Sequence, residues 1–310
     1  MAESPDLTVD LGRGLRLRSP VLVASGTFGY GFDAPQVDRA ALGAIVTKGT
    51  TLRPQEGNSP NRIAETPSGM LNAIGLQNPG VDHVARVYAP VWATWDVPVI
   101  VNVAGDSVDD YVAVISRLDG VAGIAGFELN ISCPNVINGL QFGVEPGLAS
   151  ELTGAVRAVT RLPLWVKLTP NVTDIVAVAR GVEAAGADAL SAVNTYAGMA
   201  IDVRQRRPVL SRGNGGLSGP AIKPLALYAV WQIANEVRIP VIGIGGIRTP
   251  ADALEFLLAG ASAVQLGTVN YIRPQAAREV HEGIAVYLRE QGLRDLRGLP
   301  IRSPSVLTHA

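Results

Sequence analysis

Polar side chains and glycines recur where short apolar runs of this chain end. These residues are Ser25, Lys48, Asn102, Asn130 followed by Cys133, Lys167, Asn194 with Thr195, Gly245-Gly246 and Gly267-Thr268. If the runs are parallel strands, their carboxyl ends meet at one edge, which is where barrel enzymes carry their chemistry. Lysines and amides there could hold an anionic ligand rich in hydrogen-bonding groups. We interpret these run ends as one candidate active site.

Cys133, in the segment ELNISCPN, is the candidate catalytic group. A thiol has an ordinary pKa near 8.5, so modest tuning lets it serve as a base or a nucleophile. The alternative is that a lone Cys is a small buried apolar residue. His83, His281 and His309 read as surface or terminal residues, which disfavours a Cys–His hydrolase. We therefore expect Cys133 to act as a base that removes a proton.

Lys48 and Lys167 end the apolar runs AIVTK and LWVK, so both side chains are expected in the wall of the fold rather than in solvent. A buried cation needs an anionic partner. Amide side chains accompany the lysines at Asn72, Asn102, Asn130 and Asn194. Because an amide donates and accepts at once, this set suits a pyrimidine ring, whose edge alternates N–H and C=O groups.

The last two runs end in GIGGI and QLGT. Glycines at these positions let backbone N–H groups approach a phosphate, helped by the N-terminus of a following helix. The alternative is that each glycine only makes a tight turn. Since both motifs fall at the usual phosphate position of a barrel, we favour a phosphate carried by a substrate or a cofactor.

The elements that must position these residues alternate between strands and helices. Apolar runs at 21–25, 44–48, 99–103, 126–131, 164–168, 189–193, 241–245 and 263–267 read as strands buried on both faces. Segments at 106–118, 147–160, 174–185, 221–237 and 249–259 have helical spacing. Eight such alternations predict an α/β fold, a (β/α)8 TIM barrel. A Rossmann-type sheet is the weaker alternative, because no GxGxxG follows the first strand.

Three further segments complete the architecture. Residues 7–17 alternate and turn at Gly12–Gly14, which predicts an N-terminal β-hairpin closing the opposite end of the barrel. Long connections at 49–98 and 196–240, after strands two and six, are expected to form a lid or binding surface. No linker divides the chain, so we expect one domain over residues 1–310.

Composition removes several classes of function. With 47% hydrophobic and 17% charged residues, the chain is not expected to be disordered. The balance of 26 basic against 27 acidic residues predicts no affinity for nucleic acid or anionic membranes. One Cys cannot form an intrachain disulfide or hold a Cys-ligated metal or iron–sulfur centre, and we expect no metal site. The absence of a signal-like segment or a long apolar run predicts a cytoplasmic protein.

Nine ordered motifs resemble those of the dihydroorotate dehydrogenases, from about residue 7 to about residue 288. They are VASGTFGYG, VTKGTT, MLNAIGLQNPG, ELNISCPN, VKLTPN, NTY, GGLSGPAIKP, GIGGI and QLGT. The resemblance is greatest to class I, and within it to the NAD-linked subgroup. The base position carries Cys rather than the Ser of class II, and the membrane-associating N-terminal extension of class II is absent.

The resemblance implies a set of binding roles. FMN would be bound by Ser25, Lys48, Gly49, Asn102, Asn130, Lys167, Val193, Gly219, Gly245, Gly246, Gly267 and Thr268. The pyrimidine would be bound by Lys48, Asn72, Ala73, Ile74, Gly75, Leu76, Asn130, Asn194 and Thr195. Cys133 would take the C5 proton of dihydroorotate while C6 gives a hydride to FMN, and Lys48 would pair with the substrate carboxylate. The product, orotate, belongs to pyrimidine biosynthesis.

The resemblance also implies partners. The chain lacks thiols for a cluster and a dinucleotide fingerprint, so electrons would reach NAD through a subunit that carries FAD and a 2Fe-2S cluster. Two copies of each chain would form a heterotetramer. The basic stretch Arg204-Gln205-Arg206-Arg207 either meets that subunit or is a solvated loop.

Four alternatives stay open at this point. The enzyme could pass its electrons to fumarate, as the other class I subgroup does. It could be a dihydropyrimidine dehydrogenase, whose substrates have no carboxylate for Lys48 to bind. It could be a flavin-free phosphate-binding isomerase or lyase, or an inactive scaffold.

Overall fold

The computed structural model describes residues 4–33, 37–132 and 142–299. At its centre is a closed barrel of eight parallel strands, each hydrogen-bonded to the strands before and after it in the chain, with β8 next to β1. The strands are β1 Val21–Val23, β2 Ala44–Val46, β3 Val99–Val103, β4 Gly126–Asn130, β5 Leu164–Leu168, β6 Ala189–Ala192, β7 Val241–Ile244 and β8 Ala263–Leu266. The predicted (β/α)8 barrel is confirmed, and each strand lies within its predicted run.

Helices surround the barrel and cover its apolar outer face. They span Val108–Leu118, Pro146–Arg157, Ile175–Ala184, Lys223–Ala234, Pro250–Leu258 and Ala276–Glu290. Side-chain caps begin three of them, since Ser107, Asp174 and Thr249 each accept a hydrogen bond from a backbone N–H of the first turn. The last helix was not among the predicted segments, although its buried Val280, Ile284 and Leu288 recur every four residues.

A second helical segment, also absent from the prediction, lies inside the first long connection. It has three consecutive parts, Val81–His83, a wider π turn at Val84–Tyr88, and Ala89–Trp92. Short 3₁₀ turns lie at Arg39–Ala41, Pro220–Ile222, Thr268–Tyr271 and Leu296–Gly298. In the part of the chain that the structure describes, no helix combines the length and the apolar composition needed to cross a bilayer.

The N-terminal hairpin closes the amino end of the barrel, as predicted. Its strands Val9–Asp10 and Arg16–Leu17 pair antiparallel. Leu11 and Leu17 are buried against the inward side chains at that end of the barrel, among them Trp165. The Trp165 indole N–H also donates to the Leu11 carbonyl at 3.1 Å. The amino end is therefore packed shut, which leaves the carboxyl end for a site.

The two long connections build one structure above the carboxyl end. Four antiparallel strands, in the order Tyr196–Gly198, Gly215–Ser218, Gly69–Asn72 and Ile63–Thr66, form a sheet that we call the roof sheet. Its two central strands come from different connections and pair through Leu71 and Leu217. A small hairpin, Ile201–Asp202 with Arg207–Pro208, extends from the second connection. The predicted lid is thus an ordered sheet rather than two loops.

Candidate active site

A cavity of about 740 Å³ lies between the carboxyl ends of the barrel strands and the roof sheet. Its volume is that of a typical small-molecule or cofactor pocket. Residues at or just beyond the end of every barrel strand line it, namely Ser25, Lys48, Asn102, Asn130, Lys167, Val193, Gly245 and Gly267. Asn72 and Gly216 of the roof sheet line the other side.

The structure brings the sequence-predicted residues to this one cavity. Besides the residues above, its lining includes Gly49, Ala73, Ile74, Gly75, Leu76, Asn194, Thr195, Gly219, Gly246 and Thr268. Cys133 lies outside the described residues, although the preceding Ser132 lines the cavity. Every predicted binding residue among the described residues therefore lines one cavity, while the role of each stays a prediction.

The two lysines occupy different environments. Lys48 is half-buried, and this burial lowers the pKa of its ammonium group; Asp33 opposes the shift and Arg62 adds to it. Lys167 is only 5% exposed, and its Nζ lies 3.9 Å from Oε1 of Glu128. Lys167 thus has a carboxylate neighbour inside the barrel, whereas burial destabilises the charged form of Lys48 with only partial compensation from Asp33.

Hydrogen bonds within the protein fix three amide side chains of the cavity lining, two at barrel strand ends and one in the roof sheet. Oδ1 of Asn130 accepts from Nδ2 of Asn194 at 3.1 Å, and Oδ1 of Asn194 accepts from the Thr195 N–H at 2.9 Å. Nδ2 of Asn72 donates to the Gly216 carbonyl in the roof sheet at 3.3 Å. These amides are held in defined orientations, which reduces the entropy cost of fixing a polar ring beside them.

The segment from Ala73 to Leu76 is also held by side-chain hydrogen bonds to its backbone. The Asn58 side chain donates to the Ala73 carbonyl at 2.8 Å, and the Asn78 side chain donates to the Leu76 carbonyl at 2.7 Å. Gly75 has φ of +76°, and a Cβ there would lie 2.7 Å from Asn58. Glycine is required at this position because both the backbone angle and the space exclude a side chain.

Gly219, Gly245 and Gly246 form one corner of the cavity lining, where a phosphate is expected from the sequence. Gly245 and Gly246 have φ of +138° and +71°, and a Cβ on Gly246 would lie 2.9 Å from the Gly219 carbonyl oxygen. Gly267 is different, since its nearest neighbour would be the Ala24 Cβ at 3.7 Å. The helix Pro250–Leu258, which follows Gly245 and Gly246, has its first turn capped by the protein itself, because Thr249 and Asp252 exchange the hydrogen bonds of a capping box.

A buried polar cluster beneath the cavity was missed at the sequence level. Glu128 is fully buried in β4 and accepts hydrogen bonds from Asn102 Nδ2 at 2.7 Å, Ser191 Oγ at 2.6 Å and Gln265 Nε2 at 2.9 Å. Period-two alternation in a strand places Glu128 on the same face as Asn130. That spacing is the sequence signal for Glu128, which is not among the strand-end residues because it lies two residues before the end of β4.

The barrel, with a cavity at its carboxyl end, has the architecture of a (β/α)8 enzyme. The cavity is lined by two lysines, several asparagines and the corner formed by glycines. The family model for dihydroorotate dehydrogenase matches residues 7–288. The chain therefore belongs to the dihydroorotate dehydrogenase family, which confirms the resemblance drawn from the motifs.

Curated relatives agree with this assignment. The chain is 53% identical over 297 residues to the dihydroorotate dehydrogenase B (NAD(+)), catalytic subunit, of Trichlorobacter lovleyi, an alignment that covers 95% of this chain and 97% of the relative. It is 54% identical over 288 residues to the protein of the same description from Desulforudis audaxviator, with 92% and 94% covered.

Proposed function

We propose that this chain is the catalytic subunit of an NAD-linked dihydroorotate dehydrogenase and oxidises dihydroorotate to orotate. The observation that carries the proposal is the match to relatives of that description over more than nine-tenths of both chains. The cavity supports it, because its two lysines and fixed amides complement an anionic pyrimidine.

We propose FMN as the cofactor, and two features of the cavity fit it. The corner formed by Gly219, Gly245 and Gly246 leaves room only for backbone, which suits a phosphate approached by N–H groups. At the other side, Oδ1 of Asn102 is buried and has no hydrogen-bond partner among the described residues, so it can accept from a ring N–H. FMN when bound supplies the two-electron acceptor for the substrate.

The substrate would lie beside Lys48. A carboxylate there places a negative charge beside the half-buried ammonium, and this charge opposes the effect of burial, which lowers the pKa of Lys48. Asn72, Asn130 and Asn194 would hold the edge of the ring at a fixed distance. Cys133 would take the C5 proton; it follows directly after Ser132, which lines the cavity.

The partner would be a subunit carrying FAD and a 2Fe-2S cluster, in a heterotetramer built on a dimer of this chain. The printed description of the relatives as a catalytic subunit supports a second kind of chain. Arg204, Arg206 and Arg207 are exposed in the small hairpin of the second connection, the first two in its turn. These arginines are available to an acidic partner surface, although a solvated hairpin would expose them equally.

The decisive experiment mixes the FMN-loaded protein with dihydroorotate or with dihydrouracil in the absence of oxygen and follows the oxidised-flavin absorbance. Dihydroorotate should bleach the flavin, whereas dihydrouracil should react at least tenfold more slowly. The reason is that dihydrouracil has no carboxylate for the half-buried ammonium of Lys48, and a hydrogen bond to a charged group is worth roughly 1.5–3 kcal/mol. Equal rates would indicate a dihydropyrimidine dehydrogenase, and a protein that binds no flavin would indicate a different phosphate-binding barrel.

A second experiment identifies the acceptor. The chain alone, supplied with dihydroorotate, should reduce an artificial dye but not NAD, and NAD reduction should appear when the electron-transfer subunit is added. Rapid NADH formation by the chain alone would contradict the two-subunit scheme. Rapid oxidation of the reduced flavin by fumarate would assign the chain to the other class I subgroup.

A further inference from the structure

Glu128 is a fully buried carboxylate for which the proposed reaction has no direct use. It lies in β4, where it is the register partner of Asn102 in β3. Two residues further along β4, Asn130 is the register partner of Lys167 in β5. Burying an ionised group is costly unless it is paired and hydrogen-bonded. A position directly beneath the cavity, beside two residues of its lining, indicates that the carboxylate serves the site.

Glu128 is the acceptor in each of the three side-chain hydrogen bonds that it forms with described residues. Nδ2 of Asn102, Oγ of Ser191 and Nε2 of Gln265 each donate to it, over 2.7, 2.6 and 2.9 Å. Three converging donors are what an acceptor-only carboxylate takes. Each amide that turns its NH₂ group toward Glu128 must turn its carbonyl oxygen away.

This direction determines what Asn102 offers to the cavity. Its Oδ1 is buried with no hydrogen-bond partner in the described ranges. A Cβ on Gly49 would lie 3.2 Å from that oxygen, so the oxygen lies directly beside a residue of the cavity lining. A glutamine at 128 could itself donate to Asn102 and allow the amide to turn over.

The same carboxylate sets the charge near Lys167. The separation of 3.9 Å between Lys167 Nζ and Glu128 Oε1 is too long for a hydrogen bond but close enough for strong attraction. The Lys167 ammonium is therefore attracted to Glu128, and at this separation none of its N–H groups is used in a hydrogen bond to the carboxylate.

We propose that Glu128 is a positioning residue for the redox cofactor. Its negative charge keeps Asn102 as an acceptor toward the cofactor ring, partly offsets the charge of Lys167, and so lowers the reduction potential of the bound flavin. The inference rests on the proposed function, because it requires FMN in the cavity.

The test measures the midpoint potential of bound FMN in Glu128→Gln, which keeps the shape of the side chain and removes its charge. Reduction places extra electron density on the flavin, and losing a buried negative charge nearby should favour it. We expect the equilibrium between oxidised and reduced flavin to move toward the reduced form by at least tenfold, which is about 30 mV for a two-electron couple.

Ser191→Ala is the matched control, since it removes one hydrogen bond to the same carboxylate and leaves the charge in place. Its flavin potential should stay at the wild-type value. An unchanged potential in Glu128→Gln, or an equal shift in Ser191→Ala, would overturn the proposal, because either result would mean that Glu128 acts only in packing.

A third variant covers the case in which Glu128→Gln does not retain FMN. Glu128→Asp keeps the charge on a shorter side chain, and it should hold FMN with a potential close to wild type. Loss of FMN from both variants would overturn the proposal. If the wild-type protein binds FMN but dihydroorotate does not bleach it, the proposed substrate is wrong, and the potential measurement on Glu128 still stands as a separate result.

Discussion

Gly246 offers a sharp test of the proposed phosphate corner. Its φ of +71° lies in the left-handed region, and a Cβ would come within 2.8 Å of the Lys223 Cβ and 2.9 Å of the Gly219 carbonyl oxygen. Gly246→Ala therefore introduces backbone strain and also forces neighbouring backbone to move. Since Gly219 is itself in the corner, the displacement should reach the bound phosphate.

The structure supplies a control that separates the two effects. Gly120 has φ of +75°, yet nothing lies within 4 Å of a Cβ placed there. Alanine should cost about 1–2 kcal/mol at either position through the left-handed backbone. Only Gly246→Ala adds the steric conflict, for which overpacking typically costs a further 1–3 kcal/mol. We expect a loss of unfolding free energy of about 1–2 kcal/mol for Gly120→Ala and about 2–5 kcal/mol for Gly246→Ala.

Two measurements check the prediction. Denaturant unfolding gives the stability of each variant, and titration with FMN, followed by quenching of flavin fluorescence, gives its affinity. Gly246→Ala should bind FMN at least tenfold more weakly, and Gly120→Ala should bind it like the wild type. If the two variants lose equal stability and bind FMN equally well, the glycines of this corner are turn formers and do not make a phosphate site.

Three further predictions address the base, the acid limit of stability and the closed end of the barrel. Cys133→Ala should keep FMN but slow flavin reduction by dihydroorotate about 10²–10⁴-fold in stopped-flow experiments, the usual contribution of a general base. Burial lowers the pKa of His281 below 6.5, so the unfolded chain takes up a proton there before the folded chain does. The free energy of unfolding should fall as the pH drops through about 6.5, and His281→Asn should make that fall smaller. Asp188 accepts from Arg157 Nη1 at 2.8 Å and from the Leu164 N–H at 2.9 Å, so Asp188→Asn should lower the free energy of unfolding by about 1.5–3 kcal/mol without changing FMN affinity.

The barrel and its site edge could be predicted because their signals are local. An apolar run buried on both faces defines a parallel strand, and the residue after it must lie at the carboxyl edge. Lys48 and Asn102 were placed in the cavity by that rule alone, although their strands are separated by more than fifty residues. Closure of the barrel then brings the edge residues together without further information.

The roof sheet could not be predicted, because its pairing is not local. Asn72 and Gly216 are register partners 144 residues apart in sequence. The strand Gly215–Ser218 is rich in glycine and half-buried, so it carries neither a β-branched pattern nor an apolar alternation. Only the closed barrel beneath it positions the two connections for pairing.

Lys48 and Lys167 look alike in the sequence, but the structure gives them different electrostatic environments. Each ends an apolar run, so the sequence predicts the same buried cation twice. The structure gives Lys167 a carboxylate neighbour within the barrel, while burial lowers the pKa of Lys48 with only partial compensation from Asp33. Under the proposed function, an anionic substrate would gain most beside Lys48, whereas Lys167, whose charge is partly offset by Glu128, would suit a permanent cofactor. The two proposed positions would then differ because Lys167 has a buried carboxylate neighbour two residues before the end of β4.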